Sequence, residues 1–318
     1  MTDVTAIGEM LIDFAPRGAN AAGYPVLEAN PGGAPANFLA ALTRFGGRAA
    51  MIAKVGDDAF GRMLTDTLRR AGIDTRGVVA DPACFTTMAF VSLDEKGNRD
   101  FSFARKPGAD TCLRPEELDE ALILESRVLH FGTLSLTDEP ARSATERAVA
   151  LAKGHGLLVS VDPNLRKPLW SGEENARRAM EWALHQADVV KLSDEEIDFL
   201  WGLSPRDGAQ KLLHEYGVSL VYATLGPKGC YAACRGGAEV SVAAPEGIRA
   251  VDTTGAGDIF GGSAMSRLLR LNKAPADLTE AELFSIARFA CAAASLSTLK
   301  SGGITSVPDP AEVEALLA

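Results

Sequence analysis

No apolar run in this chain is long enough to cross a membrane as a helix, because charge or glycine interrupts each one. The start lacks the basic-then-apolar pattern of a secretory signal: Met1-Thr2-Asp3-Val4 carries an acid, and the apolar run ends at Gly8-Glu9. Cysteines are few, odd in number and scattered: Cys84, Cys112, Cys230, Cys234 and Cys291. Cys230 and Cys234 have no nearby Cys/His pair, so zinc is not expected; reduced thiols in a cytoplasmic protein are. Internal repeats, low-complexity tails and obvious linkers are also missing, which excludes a solenoid. Basic residues are outnumbered, 32 Lys+Arg against 42 Asp+Glu, giving a formal net charge of −10. That balance argues against a nucleic-acid or anionic-membrane partner, yet leaves room for a local basic pocket holding a phosphorylated small molecule.

What the chain does have is core-forming material. Its 318 residues are 47% hydrophobic, enough for one large α/β domain or two ordinary ones, and too apolar for a disordered protein. Val4–Ile7 reads as a strand and Asn37–Phe45 as a helix stopped by Gly46-Gly47. From about residue 128 the alternation is regular. Strands are expected at 128–131, 157–161, 189–191, 220–225 and 230–234. Helices are expected from the acidic cap at Asp138-Glu139-Pro140 to Lys153, over 173–185, and from Asp194 to Leu200. Strands separated by helices imply right-handed crossovers and an open, mainly parallel α/β sheet with helices on both faces. Two stretches break the rhythm, 14–35 and 85–110. The second contains a strand-like alternation around Glu95-Lys96-Gly97-Asn98, so both are expected to leave the main sheet as a small β-sheet lid. The expected organisation is a single domain, 1–318, with these two excursions.

The most informative segment is Val251-Asp252-Thr253-Thr254-Gly255-Ala256-Gly257-Asp258, followed by small and apolar residues from Ile259 to Leu269. Small residues let backbone approach a ligand, and amides at a helix start face an anion. Asp258 is the odd member. A carboxylate among phosphate-binding amides repels the ligand unless it accepts the proton of an attacking hydroxyl. From local chemistry alone, a tight loop with Asp258 as an ordinary helix cap is an equal reading. The spacing is not that of a dinucleotide fold, since Phe260 stands where the third glycine belongs, and no P-loop pattern occurs anywhere. A second cluster, Pro31-Gly32-Gly33-Ala34-Pro35-Ala36-Asn37, precedes a helix and offers bare backbone and one amide to a polyhydroxylated ligand.

Together, Pro31–Gly47 and Asp252–Ala264 resemble the two signatures of the PfkB (ribokinase-like) carbohydrate kinases, and the likeness extends across essentially the whole chain. The resemblance implies transfer of the γ-phosphate of ATP to a primary alcohol. It makes Asp258 the general base and the amides of Gly255, Ala256 and Gly257 an anion hole. It gives Asp13, Gly32, Gly33 and Asn37 to sugar hydroxyls. Asn164 and Arg166, in Asp162-Pro163-Asn164-Leu165-Arg166, would face the phosphates from the substrate side. Lys191 and Glu196 fall in the family's N-x-x-E element, where Ser193 replaces the usual Asn; Glu196 would organise Mg²⁺ through water. Thr224, Gly226 and Gly229 match the nucleotide-side turn, and Cys291 a position near adenine. Asp252, Thr254, Ser297, Lys300, Gly302 and Ser306 match a monovalent-cation site, usually for K⁺, built mostly of backbone carbonyls.

Asp100–Asp110 resembles the F-x-F-Y-R-x-P-x-A-D stretch of fructokinases, with Ala104 in place of the usual Tyr. Phe101 and Phe103 share one strand face, from which they can press on a sugar, and Arg105 would join them in the pocket. The expected reaction is therefore Mg-ATP plus D-fructose giving fructose 6-phosphate and ADP. A 2-keto-3-deoxygluconate kinase, with Arg105 and Arg166 on the substrate carboxylate, is the alternative, followed by ribokinase or a nucleoside kinase. From a different class comes a catalytically silent sugar or nucleotide sensor, which would have no use for Asp258. A homodimer through the lid is expected from the family, with no nucleic-acid or membrane partner.

Overall fold

The structure is a computed structural model that describes residues 2–93 and 99–318; side chains from 92 to 101 lie outside that description. The strands are β1 (Thr2–Ile7), β2 (Leu11–Ala19), β3 (Pro25–Gly32), β4 (Ala49–Gly56), β5 (Ile73–Asp81), β6 (Thr87–Leu93), β7 (Arg99–Ala104), β8 (Ser126–Phe131), β9 (Leu158–Val161), β10 (Val189–Ser193), β11 (Leu220–Thr224), β12 (Cys230–Cys234) and β13 (Glu239–Val242). The helices are α1 (Ala34–Arg44), α2 (Ala59–Arg70), α3 (Glu120–Leu124), α4 (Ala141–Gly154), α5 (Glu173–Gln186), α6 (Asp194–Trp201), α7 (Pro205–Glu215), α8 (Ala256–Leu271), α9 (Glu280–Ser297) and α10 (Pro310–Leu317).

Nine strands form one sheet in the order β13-β12-β11-β10-β9-β8-β1-β4-β5, parallel from β11 to β5 and antiparallel at the β12 and β13 edge. The period-two pleat sends successive side chains to opposite faces. Along β11, Leu220 and Tyr222 enter a core with Phe38, Phe260 and Ile286, while Val221 and Ala223 enter another with Met180, Ile197 and Leu212. α1, α8 and α9 thus cover one face and α4 to α7 the other. Burying both faces of parallel strands requires this arrangement.

A second sheet, β3-β2-β6-β7, stands apart from the first. The chain enters it through Gly8–Met10 after β1 and again through 82–86 after β5, and leaves it at Gly33 after β3 and through 105–108 after β7. Its strands span 11–32 and 87–104, inside or close to the excursions expected at 14–35 and 85–110. The Glu95–Asn98 turn lies outside the described residues.

Two helix starts differ from expectation. α1 begins at Ala34 rather than Asn37, with Pro35 in its first turn and Gly33 at its N-cap. α4 begins at Ala141 with Pro140 at the N-cap and no side-chain cap; Glu139 instead accepts the Ser143 hydroxyl at 2.7 Å. β4, α2 and β5 carry no sequence expectation. Three of the eight β4 residues are alanine and only Ile52 and Val55 are β-branched, so its strand signal is weak, although all eight are buried.

Candidate active site

Functional side chains gather where the parallel strands end and α8 begins, the end of an open α/β sheet where ligands bind. Gly255, at the α8 N-cap, has φ 75°, a left-handed conformation that favours glycine. Ala256 turns its amide onto the Thr253 carbonyl at 3.2 Å, so within the expected anion hole that amide already has a partner. Gly255 and Gly257 line an open cavity of about 850 Å³, and Asp258 projects into it from the first turn of α8.

Asp258 is buried, and its Oδ2 accepts a hydrogen bond from Asn37 Nδ2 at 2.9 Å. Burial, reinforced by the nearby charge of Asp162, pushes its carboxyl up to about 7; the Asn37 bond, Lys191 and Arg166 pull the other way. Asn37 reaches Asp258 because α1 packs against α8 without clearance: a side chain at Gly262 would collide with the Phe38 carbonyl. Among the described residues, the buried Asn37 Oδ1 has no hydrogen-bond partner, a costly state for an acceptor that a ligand hydroxyl would relieve.

From β10, Lys191 points to the same face as Val189, toward α8. Its ammonium pairs with Asp162 at 3.0 Å and lies so near the loop that a side chain on Gly257 would come within 2.9 Å of it. Burial opposes that charge, but Asp162, Glu196 and Asp258 outweigh it and hold the Lys191 pKa above its ordinary value. Ser193 and Glu196 form a reciprocal capping box at the start of α6: Glu196 Oε2 accepts the Ser193 amide at 2.8 Å and hydroxyl at 3.0 Å. Glu196 Oε1 accepts the Leu165 amide at 2.8 Å, tying the Asn164–Arg166 loop to α6. Asn164 adopts φ 51°, and both Asn164 and Arg166 line the cavity.

The small sheet supplies the facing wall. Phe103 lines the cavity; the Phe101 side chain lies outside the described residues. Asp13, on β2, is pushed up to about 6 by burial; the Arg166 charge opposes that shift and the Asp252 charge adds to it. Its carboxylate occupies the space that a side chain at Gly32 would fill. Gly33 has φ 117°, and the Glu9 carbonyl stands where its side chain would be, so only glycine fits.

Other expected residues stand elsewhere. Arg105 is buried and fully engaged: Nε donates to Asp110 at 2.8 Å, one terminal nitrogen to the Thr137 hydroxyl at 2.8 Å and the other to the Leu134 carbonyl at 2.9 Å. It does not line the cavity. Cys291 is buried in the core with its Sγ 3.6 Å from that of Cys230, inside the face covered by α9. Thr224 is in register with Ser193 on the adjacent strand and donates to the Leu192 carbonyl, and Gly226 and Gly229 bound the following turn. These three sit beside the cavity rather than in its wall.

The expected cation residues are brought together by backbone. The Asp252 carboxylate accepts the amides of Thr254 at 2.8 Å and Gly302 at 3.3 Å, and the Thr298 carbonyl accepts those of Val251 and Asp252. The Ser297 and Ser306 hydroxyls turn onto carbonyls of their own turns, and Lys300 is exposed. Such an oxygen-rich junction suits a hard cation. Among the described residues, no three His, Cys, Asp or Glu side chains converge as a metal site.

Two buried acids beside these residues, Asp162 and Glu9, carry no expectation from the sequence. Asp162 has a legible signal all the same, an acid directly after an apolar strand at the sheet's ligand end. Glu9 has a fainter one, a lone acid ending the first apolar run.

A model of the "pfkB family carbohydrate kinase" group matches residues 1–310. Fructokinase-1 of Zea mays is 43% identical over 320 residues, covering 99% of this chain and 97% of that one. The fructokinase of Xylella fastidiosa, solved with bound ATP, superposes with TM-score 0.89 at 30% identity, covering 100% of this chain and 98% of that one. The Vibrio cholerae fructokinase, solved with fructose, ADP and calcium ion, superposes with TM-score 0.85 at 33% identity, covering 100% and 99%. With the Asp258 loop at the head of α8 and the second sheet over the cavity, this chain belongs to the pfkB family of carbohydrate kinases.

Proposed function

We propose that this carbohydrate kinase transfers the γ-phosphoryl group of ATP to the 6-hydroxyl of D-fructose. The observation that carries the reading is Asp258: a buried carboxylate, raised by its surroundings to about 7, on the wall of a large cavity beside Lys191, Arg166 and the head of a helix. A base whose pKa sits near neutral pH is matched to taking a hydroxyl proton.

In the reaction, the sugar lies between Asp13, Gly32, Gly33, Asn37 and Phe103, with its 6-hydroxyl against Asp258. The proton passes to the Asp258 carboxylate as the hydroxyl oxygen attacks the γ-phosphorus and ADP leaves. Lys191, Arg166 and the Gly255 and Gly257 amides take up charge on the transferring group, and the α8 dipole adds to them. Asp162 holds Lys191 in place. Mg²⁺, reached through water from Glu196, would neutralise the phosphates, and a monovalent cation at the 252–254 and 297–306 junction would stabilise the loop beneath them. The small sheet serves as a lid, closing over the sugar and excluding water.

The commitment of Arg105 to Asp110, Thr137 and Leu134 supports fructose over a keto-deoxy sugar acid, because of the two arginines expected to clamp a substrate carboxylate Arg166 alone lines the cavity. Retention of Asp258 speaks against a silent sensor. Tyr24, Val26 and Leu27 leave an apolar edge exposed on and beside β3, which supports pairing of two lids in a homodimer. Five free thiols support a cytoplasmic setting. Among the described residues, no helix is long and apolar enough to cross a membrane.

The test is ADP release with Mg-ATP and K⁺, comparing fructose, 2-keto-3-deoxygluconate and ribose at equal concentration. Turnover with fructose well above the others is expected. Preference for the sugar acid would overturn the substrate, and nucleotide binding without turnover on any sugar would overturn the kinase reading.

A further inference from the structure

Glu9 is a buried acid with no part in the mechanism above. It sits in Gly8–Met10, the connection by which the chain leaves β1 in the main sheet and enters β2 of the lid. Its Oε1 accepts the Ala34 amide at 2.8 Å. Ala34 opens α1, whose N-cap, Gly33, has no side chain and whose first turn has no acid. The first amides of a helix lack intrahelical partners and favour a negative neighbour. A residue remote in sequence therefore supplies the cap that α1 lacks.

The contact is tight on both sides. The Glu9 carbonyl fills the place of a Gly33 side chain, and a side chain on Gly8 would lie 2.7 Å from Pro35 Cγ. The connection and the sugar-side loop 32–37 are therefore packed flush. Position 33 has no room for a capping serine or aspartate, so the cap has to come from another part of the chain. The other stem of the lid converges on the same point. Asp110 and Arg105, paired with each other, are the charged groups that act on Glu9, Asp110 unfavourably and Arg105 favourably; Thr87 at the foot of β6 donates to Asp110. Burying a carboxylate is costly; Glu9 is pushed up to about 7 mainly by that burial.

We propose that Glu9 is a positioning residue that fastens the lid's first stem to the N-terminus of α1, and so sets the affinity for the sugar. The chain of contacts is continuous: Glu9 holds Ala34, α1 carries Asn37 three residues on, and Asn37 touches Asp258. The nucleotide-side groups, Lys191 and Glu196, stand on β10 and α6, elements outside the lid stems and α1. Loosening it is expected to weaken sugar binding selectively.

This inference rests on the kinase reading, so the test has one arm that needs no substrate. Hydrogen exchange is measured at about pH 5, where wild-type Glu9 is protonated in the folded state and nearly matched by glutamine, on ligand-free wild type, Glu9→Ala, Glu9→Gln and Glu9→Asp. Peptides covering 31–40 are expected to exchange faster in the Ala and Asp variants and at the wild-type rate in Gln, which keeps an acceptor at the same reach. Peptides from α9 should be unchanged in all. In the second arm, KM for the sugar is expected to rise about tenfold in Glu9→Ala and Glu9→Asp, with KM for ATP within about twofold and Gln restoring the sugar KM. Equal changes in both KM values, or a Gln variant as impaired as Ala, would overturn the proposal, as would unchanged exchange at 31–40. If Glu9→Ala does not fold, the contrast between Gln and Asp decides in the same way. Should no sugar be turned over at all, the exchange arm still judges the joint, and the kinase reading alone fails.

Discussion

Asn37 and Asp258, separated by 221 positions in sequence, are joined by a 2.9 Å hydrogen bond from the amide nitrogen to the carboxylate. The bond fixes the geometry of the two family segments relative to each other, and it acts on the chemistry, because a donor to the ionised form lowers the pKa of a carboxyl group.

Removing that donor has a signed consequence. A general base works when deprotonated, so activity is lost as pH falls through its pKa. Asn37→Ala takes away a bond that lowers the Asp258 pKa, so the acidic limb of kcat should move to higher pH. A pH–rate profile at saturating sugar should show kcat several-fold down near neutral pH and partly recovered on the alkaline side. An unmoved limb would contradict the coupling.

Lys191 and Asp162 form a largely buried pair at 3.0 Å, so deleting one partner strands the other. Lys191→Met should cost about 3 kcal/mol of unfolding stability, measured by denaturant titration. Adding Asp162→Asn should return part of that stability without returning activity, because the charge that meets the phosphates is still missing. Recovery of both together would show that Lys191 acts only through folding.

Phe103 reaches the cavity from the lid. Phe103→Ala should raise KM for the sugar about tenfold through lost ring contact while leaving KM for ATP nearly unchanged. Initial-rate kinetics with each substrate varied in turn checks this, and a rise confined to ATP would place the ring elsewhere.

Much of this site is legible in the amino-acid sequence alone. Asp258 stands out because a carboxylate interrupts a run of small residues made for an anion. The main sheet is legible from residue 128 onward because strands and helices alternate there at regular spacing. β4 and β5 are not: β4 carries three alanines and only two β-branched residues, and in β5 the charged Asp74 and Arg76 and Gly77 interrupt the strand pattern. Arg105 misleads for a related reason. Its motif context is that of a sugar pocket, yet Asp110 five residues on, and Thr137 and Leu134 from a distant loop, claim the guanidinium. Cys291 likewise falls on the α9 face turned into the core. Sequence position places a residue on an element, and tertiary packing decides which way it points.

Glu9 makes a prediction about stability. Its folded pKa is raised from 4.5 to about 7, so the folded state holds that proton more tightly than the unfolded chain does. The associated stability is fully present below about pH 4.5 and is lost as pH rises through about 7. Glu9→Gln does not titrate and loses nothing over this range. Its stability relative to wild type should therefore grow between about pH 5 and 8, by on the order of 3 kcal/mol. Denaturant unfolding of both proteins at several pH values measures the difference, and a flat difference would contradict a raised Glu9.

The central claim is that Asp258 takes the proton from the attacking hydroxyl, and the most direct test is kcat of Asp258→Asn with fructose and Mg-ATP. Asparagine preserves the size of the side chain and the contact with Asn37 but cannot accept the proton. The account predicts a fall in kcat of about 10²- to 10⁴-fold, with folding and fructose binding intact. A variant that folds, binds fructose and turns over within about tenfold of wild type would contradict it.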